Sequence, residues 1–172
     1  MNWEAIGAIV EITGAVAVFV SLVYLAFQIR QNTRAIRGSA ERETVSLQQS
    51  ALQPVAASLE IADVHGRAIF QFSEMSPAEQ VQFHRTMTAL FQSFESAHYQ
   101  HGANLIGGGI HARVVKNMKG WFRFPGVNAW WDTWSREYSD EFKAFIENEV
   151  RPEVELVNWK RYQPPAEAEE AG

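Results

Sequence analysis

The chain has 172 residues, of which 47% are hydrophobic and 20% are charged, and its formal net charge is −5 at pH 7. This acidic balance argues against a general nucleic-acid-binding protein, because such proteins need a basic surface to neutralise phosphates. The chain contains no cysteine. Disulfides, thiolate nucleophiles and cysteine-ligated zinc or iron–sulfur sites are therefore excluded.

A long apolar segment extends from Ala5 to Ile29 and contains a single ionisable side chain, Glu11. About 20 apolar residues in a helix are enough to cross the hydrocarbon core of a bilayer. The first residues carry no Lys or Arg, and the segment is longer than the apolar region of a secretory signal peptide, which is roughly 7–15 residues. The sequence therefore predicts a retained membrane anchor over residues 1–29.

Basic residues follow the apolar segment directly. Arg30, Arg34 and Arg37 come just after it, whereas only the acidic Glu4 precedes it. The positive-inside rule places the more basic flank in the cytoplasm. We therefore expect an inner-membrane protein with its N-terminus outside, a cytoplasmic C-terminal domain, and these three arginines close to lipid headgroups.

The anchor is predicted to continue as one helix through residues 30–53, because this stretch contains no proline. Pro54 is expected to end it, since proline removes a helical hydrogen bond and clashes with the preceding turn. A second helix is predicted over 55–72. Glycine at position 66 is a potential break in this helix, at a cost of about 1 kcal/mol relative to alanine.

The clearest local signal outside the anchor is a helix start. Ser76 fits the N-cap, Pro77 the first helical position and Glu79 the third residue of a capping box. The helix that they open is predicted to end near Leu105. Apolar residues recur along it at helical spacing, namely Val81, Phe83, Met87, Leu90, Phe91, Phe94 and Ala97.

Three shorter helices are predicted in the remainder. They cover 110–122, a short segment capped by Asn128, and a segment that Ser139 caps and that ends near Val150. No strand pattern is present, so the predicted fold is all-α: one transmembrane helix, a long helical extension and an antiparallel cytoplasmic helical bundle over 54–162.

Two further expectations concern the C-terminal half. Trp130 and Trp131 are adjacent and do not share one helix face, so we expect one of them to be half exposed. Residues 163–172 are acidic and rich in proline, and this composition predicts a disordered tail.

Five blocks of the sequence carry a resemblance to a protein family. They are E-I-x-G-A-x-A-V from Glu11, S-L-V-Y-L-A-x-Q-I-R-Q-N-T-R-A from Ser21, S-P-A-E from Ser76, P-G-V-x-A-W-W from Pro125 and S-x-E-F-x-A-F from Ser139. With these blocks the chain resembles a family of small bacterial membrane proteins with an N-terminal anchor helix and a cytoplasmic helical domain. The resemblance implies the same architecture and brings no catalytic residue with it.

Gly7, Glu11 and Gly14 lie at positions i, i+4 and i+7 and therefore share one helix face. The two glycines allow a second backbone to approach closely, as small-residue motifs do in membrane helices. A carboxylate within a membrane is costly and usually faces protein or water. This face predicts self-association, with a ring of Glu11 side chains as a cation or proton path as one alternative. In the other alternative, Glu11 reaches the outer interface or is protonated and bonds a neighbouring helix.

Glu95, His98 and His101 form a Glu-x-x-His unit with a further histidine one turn later. Imidazole and carboxylate groups bind Zn and Fe. Di-iron helical bundles use a second Glu-x-x-His unit and two more carboxylates, and this chain has no second unit. A mononuclear metal site and solvated or hydrogen-bonded histidines are the two interpretations.

A basic stretch follows in the predicted 110–122 helix. It fits contact with anionic headgroups, or a solvated helix face beside core aromatic residues. Its members are Arg113, Lys116, Lys119 and Arg123.

The sequence contains no Walker, G-x-S-x-G or H-E-x-x-H motif, so it indicates no catalytic residue and no cofactor. We interpret the chain as a homo-oligomeric scaffold or interaction protein. Its expected partners are the membrane, a second copy of the transmembrane helix and a cytoplasmic protein, and not nucleic acid. A small oligomeric channel that uses Glu11 and a metal-binding helical domain are the alternatives.

Overall fold

The computed structural model describes the backbone of residues 3–157, and the side chains of residue 11 and of residues 14–157. This part of the chain is all-α and contains no strand, which confirms the predicted fold class. The predicted tail over 163–172 lies outside the described residues. The helices are α1 (Trp3–Ala57), α2 (Leu59–Gln71), α3 (Pro77–Gly102), α4 (Gly108–Phe122), α5 (Pro125–Trp134) and α6 (Asp140–Phe145).

Helix α1 has 55 residues and contains Pro54. The prediction that Pro54 ends the helix is wrong, because α1 continues to Ala57. A proline removes one backbone hydrogen bond and can bend the helix that follows it. Only three residues of α1 follow Pro54, so a bend there displaces little of the helix. Ser58 then caps α2, which continues past Gly66 without a break.

The chain divides into two compact units, Met1–Ala40 and Glu41–Gly172. The first unit consists of the N-terminal part of α1. In the second unit α3 supplies the central buried face, because its apolar residues recur at helical spacing. The buried residues of this face include Phe83, Met87, Leu90, Phe91, Phe94 and Ala97.

The predicted capping box at the start of α3 is confirmed. The Ser76 amide donates to Glu79 Oε2 at 2.9 Å, and the Ser76 hydroxyl accepts from the Glu79 amide. Arg67 of α2 adds an ion pair to Glu79 at 2.7 Å. The hydrogen bonds from Ser76, with that ion pair, lower the pKa of Glu79 to about 2. Helix α3 ends at Gly102, three residues before the predicted end.

Aromatic rings fill the centre of the second unit around Phe91. Its ring lies 5.0 Å from that of Trp130 and 5.5 Å from those of Phe122 and Trp131, measured between centroids. Both tryptophans are fully buried, so the prediction that one is half exposed is wrong. Helix α5 packs against both α2 and α4, and therefore two of its faces are covered rather than one.

Helices α2 and α5 approach each other at Gly126. A Cβ atom at this position would lie 1.9 Å from the carbonyl oxygen of Ala68, so only glycine fits. The expected cap at Asn128 is wrong, because α5 begins at Pro125 with Phe124 as its N-cap. The Asn128 amide instead donates to the carbonyl oxygens of Phe122 and Phe124.

The predicted cap at Ser139 is confirmed, since its hydroxyl accepts from the Phe142 amide at 3.3 Å. Helix α6 is followed by a π-helical turn, Ile146–Val150, so helical winding continues to the predicted end. A short 3₁₀ turn, Arg151–Glu153, and an extended segment to Val157 follow.

Candidate functional site

Residues 14–29, the continuously described part of the apolar stretch of α1, are exposed on every side of the helix. Phe19, Leu22 and Phe27 are 67%, 60% and 68% exposed, and residues on the other faces of the same turns are also exposed. The described helix is long and apolar enough to cross a membrane, and none of its most apolar window is buried by protein. The described residues therefore provide no covering surface for this stretch.

The predicted interface residues all lie in α1. Because the helix is continuous there, Gly7, Glu11 and Gly14 occupy the expected i, i+4 and i+7 positions on one face. Glu11 is exposed, and no atom lies within 4 Å of the position of a Cβ on Gly14. The surroundings of Gly7 lie outside the described side chains. The described part of this face is thus open to a second helix.

The three predicted lipid-proximal arginines, Arg30, Arg34 and Arg37, continue the same helix and are exposed. Their spacing of four and three residues places them along one side of α1. They form a basic band directly after the apolar stretch.

The predicted metal candidates are separated by the fold. Glu95 points to the start of α6, where its Oε1 accepts from the amide and the hydroxyl of Ser139 at 3.0 and 2.7 Å. This carboxylate reinforces a helix cap. Among the described residues, no group of three His, Asp or Glu side chains is placed to hold a metal ion.

His98 and His101 instead meet a third histidine, His111, which the sequence analysis did not select. The rings of His101 and His111 are stacked with centroids 4.1 Å apart and an angle of 11° between their planes. The ring of His98 lies 5.7 Å from that of His111 and 4.3 Å from that of Phe145. We call His98, His101 and His111 the histidine cluster; it joins the end of α3 to the start of α4.

The rings of the histidine cluster pack against one another and are not arranged around a common centre. The nitrogen lone pairs of stacked rings lie in parallel planes, so His101 and His111 do not converge on one ion. His98 Nδ1 and His111 Nε2 are buried and have no hydrogen-bond partner among the residues that the structure describes. Burial lowers the pKa of His111, the neighbouring His101 and His98 lower it further, and Glu149 opposes this effect.

The sequence contained a pattern that places His111 near the core, but this pattern can be recognised only when the buried positions of α4 are known. His111 precedes Val114 and Met118 by three and seven residues, and both are buried. These spacings place His111 beside the apolar face of α4. Its contact with α3 depends on the turn between the two helices, which the sequence pattern does not specify.

A fourth histidine, His84 in α3, lies outside the histidine cluster and has polar partners of its own. Trp130 Nε1 donates to His84 Nδ1 at 3.2 Å, so the neutral ring carries its proton on Nε2. His84 Nε2 lies 3.7 Å from Glu137 Oε1, and the ring packs on Trp134 with centroids 4.0 Å apart. Because the indole N–H of Trp130 donates to Nδ1, this nitrogen is not available to act on a substrate. The interaction therefore holds Trp130 in place in the core.

The predicted basic stretch forms one exposed face of α4. Arg113, Lys116 and Arg123 are exposed, while Lys119 is half-buried and forms an ion pair with Glu153. A surface groove of about 450 Å³ runs beside this face, and it is lined by Lys116, Lys119, Gly120, Arg123, Glu153, Val154 and Glu155.

Comparison with known proteins gives no match to a family model, to a curated protein or to a solved structure. The resemblance to small bacterial membrane proteins therefore stays a prediction.

Proposed function

We propose that this chain is a single-pass membrane protein that self-associates through its anchor helix and presents a helical interaction domain in the cytoplasm. The observation that carries the proposal is the exposed apolar stretch of α1, whose most apolar window is not buried by protein. A helix that is apolar all round needs a covering of protein or lipid. Since the described residues supply no cover for this stretch, lipid is the covering that we infer.

Self-association follows from the face of Gly7, Glu11 and Gly14. Transmembrane helices associate by close packing at small residues and by hydrogen bonds between polar side chains. The open space at Gly14 and the exposure of Glu11 both support a helix partner at this face. A second copy provides the same glycines and the same carboxyl group.

An interaction role for the second unit is supported by an apolar surface groove. This groove has a volume of about 430 Å³ and lies between α3 and residues 41–57 of α1. It is lined by Leu47, Ser50, Ala51, Ala89, Gln92 and Ser93. Concave apolar surfaces of this kind are where protein and peptide partners bind.

Single-cysteine labelling tests the membrane topology, and the chain suits it because it contains no cysteine. A membrane-impermeant maleimide should label Asn2→Cys in intact cells and should label Gly102→Cys only after the membrane is opened. Gly102 is exposed with open space around it, so the second substitution leaves the fold intact. Labelling of both positions in intact cells, or of neither, would contradict the proposed orientation.

The subunit count tests self-association independently. We would measure it by native mass spectrometry for the wild type, Glu11→Gln, Gly14→Leu and Val16→Leu. Val16 is exposed and lies on the opposite side of α1 from Gly14. The proposal expects a discrete oligomer that Gly14→Leu disrupts and Val16→Leu preserves; a monomeric wild type would refute it.

A small ion or proton channel is the second candidate, and the exposed carboxylate of Glu11 in an apolar helix favours it. Rings of acidic side chains select cations in channels. Reconstituted protein should then conduct, and Glu11→Gln should abolish the flux while leaving the subunit count unchanged. An absence of flux from the wild-type oligomer would eliminate this candidate.

A further inference from the structure

Helix α4 has two opposite faces with different chemistry. Val114, Met118 and Phe122 are buried in the second unit. Arg113, Lys116 and Arg123 lie on the other side, at positions i, i+3 and i+10, within roughly a quarter of the helix circumference. All three are exposed. The basic face of α4, defined by these three residues, therefore points away from the core.

The charge of this face contrasts with that of the whole chain. The chain has a net charge of −5, yet residues 108–123 contain four basic residues and no acidic one. Among the described residues, Lys119 is paired with Glu153, whereas no carboxylate pairs with Arg113, Lys116 or Arg123. The basic face thus retains three positive charges without an ion pair in the described part of the protein.

The shape of this face suits contact with a flat surface. Gly109 and Gly120 lie on the same side of α4 as the basic residues, and both have open space where a side chain would be. Ala112 is also small and exposed. The long basic side chains therefore extend beyond their neighbours. The acidic residues Glu153 and Glu155 border one edge of the face, beside Lys116 and Arg123.

We propose that the basic face of α4 contacts the anionic headgroups of the membrane that holds α1. This inference rests on the proposed membrane anchoring. Basic residues near an anionic leaflet are each attracted by its surface potential, and the attraction decays within a Debye length. A membrane anchor raises the effective concentration of the attached domain near the leaflet. Even a weak attraction can then increase the fraction of time that the basic face of α4 spends in contact with the headgroups.

The test uses the full chain in lipid nanodiscs, made either of phosphatidylcholine alone or with about 30% phosphatidylglycerol. A fluorophore is attached to the Gly120→Cys variant, at a position with open space beside the basic face. Quenching by a lipid with a spin label on its headgroup reports contact with the surface. The same fluorophore on the Gly66→Cys variant is the control, because Gly66 is exposed on α2 with equally open space.

We expect quenching at position 120 to be at least about twofold stronger in the anionic discs and to weaken in high salt. Position 66 should show no such difference. Arg113→Glu with Lys116→Glu should abolish the lipid dependence. Arg85→Glu with Arg136→Glu changes the net charge equally at two exposed sites in α3 and after α5, and it should preserve the dependence.

Equal quenching in the two kinds of disc would overturn the proposal and would leave an acidic protein as the partner of this face. An equal loss of the lipid dependence of quenching in both double variants would also overturn the proposal, since the dependence would then follow the net charge alone. Recovery of the protein with the discs during gel filtration reports the anchoring separately. A chain that fails to enter the discs refutes the proposed function, whereas one that enters them without lipid-dependent quenching refutes only the contact by α4.

Discussion

Two helical stretches of similar length behave oppositely in this molecule. Helix α3 buries Phe83, Phe91 and Phe94 among other helices, whereas the apolar part of α1 leaves Phe19 and Phe27 about two-thirds exposed. The difference lies in the pattern. Polar residues line one side of α3 and limit its apolar surface to a stripe, while residues 12–27 of α1 carry no charged residue on any side. A helix with one apolar face can bury that face against other helices of the same domain. A helix that is apolar on all sides requires an apolar environment such as lipid or several partner helices.

The largest contrast should come from removing one phenyl ring in each stretch. Phe91→Ala should lower the free energy of unfolding of the second unit by about 3–5 kcal/mol, because it empties the centre of the aromatic core. Phe27→Ala, in the exposed stretch, should leave it unchanged. Denaturant titration in detergent, monitored by the near-ultraviolet signal of the tryptophans, compares them. Equal destabilisation by both changes would mean that the two stretches are not packed differently.

An introduced arginine should impair membrane insertion only when it lies in the apolar stretch of α1. Leu22→Arg should impair membrane insertion by about 2.5–3.5 kcal/mol, the cost of a central arginine in a transmembrane helix. Leu59→Arg should not, because Leu59 lies at the start of α2 and is 91% exposed. Carbonate extraction of membranes separates inserted from released protein. Full retention of Leu22→Arg in the membrane pellet would argue against this stretch as the span.

Substitution of a buried and of an exposed glycine should give a smaller difference in stability. Gly126→Ala should destabilise the second unit by about 1–3 kcal/mol, since α2 and α5 must separate to admit the methyl group. Gly120→Ala, in α4, meets open space and should be neutral or stabilising by up to about 1 kcal/mol. Thermal unfolding of both variants beside the wild type gives the answer. A neutral Gly126→Ala would mean that the helices are not in contact at this position.

The smallest effect concerns the pH dependence of the second unit. Burial and the adjacent histidines lower the pKa of His111 below 6.5, and burial also lowers the pKa of His65. The unfolded chain therefore binds protons more readily, so stability should be constant above pH 6.5 and should fall as the pH decreases below it. His111→Phe should reduce the slope of this fall, and the remainder belongs to His65.

Unfolding free energies between about pH 5 and pH 7 measure that slope. The carboxylate of Glu79 contributes little to the slope in this window, because its pKa is lowered from 4.5 to about 2 and the stability that this gives is lost mainly below pH 4.5. An unchanged slope in His111→Phe would show that folding does not lower the pKa of His111.

Local signals in the sequence predicted local structure well. The capping box of Ser76 and Glu79 and the cap at Ser139 are confirmed, since each depends on residues within one turn. The all-α class followed from apolar spacing. The predicted stop at Pro54 failed because a strong local breaker is tolerated near a helix end.

Features that depend on distant residues were not predictable in the same way. Glu95 bonds Ser139, 44 residues later, and the sequence suggested a nearer role with His98. The burial of both Trp130 and Trp131 depends on helices that cover two sides of α5. The stacking of His101 on His111 depends on the turn between α3 and α4. In each case the missing information is the packing of helices rather than their existence.

We expect the face of α1 that carries Gly7, Glu11 and Gly14 to pack against the same face of a second copy. Oxidative cross-linking in native membranes tests it directly, with Gly14→Cys compared with Val16→Cys on the opposite side of the helix. We expect a disulfide-linked dimer for Gly14→Cys and little or none for Val16→Cys. Equal cross-linking at both positions, or none at Gly14→Cys in protein that is inserted in the membrane, would contradict it.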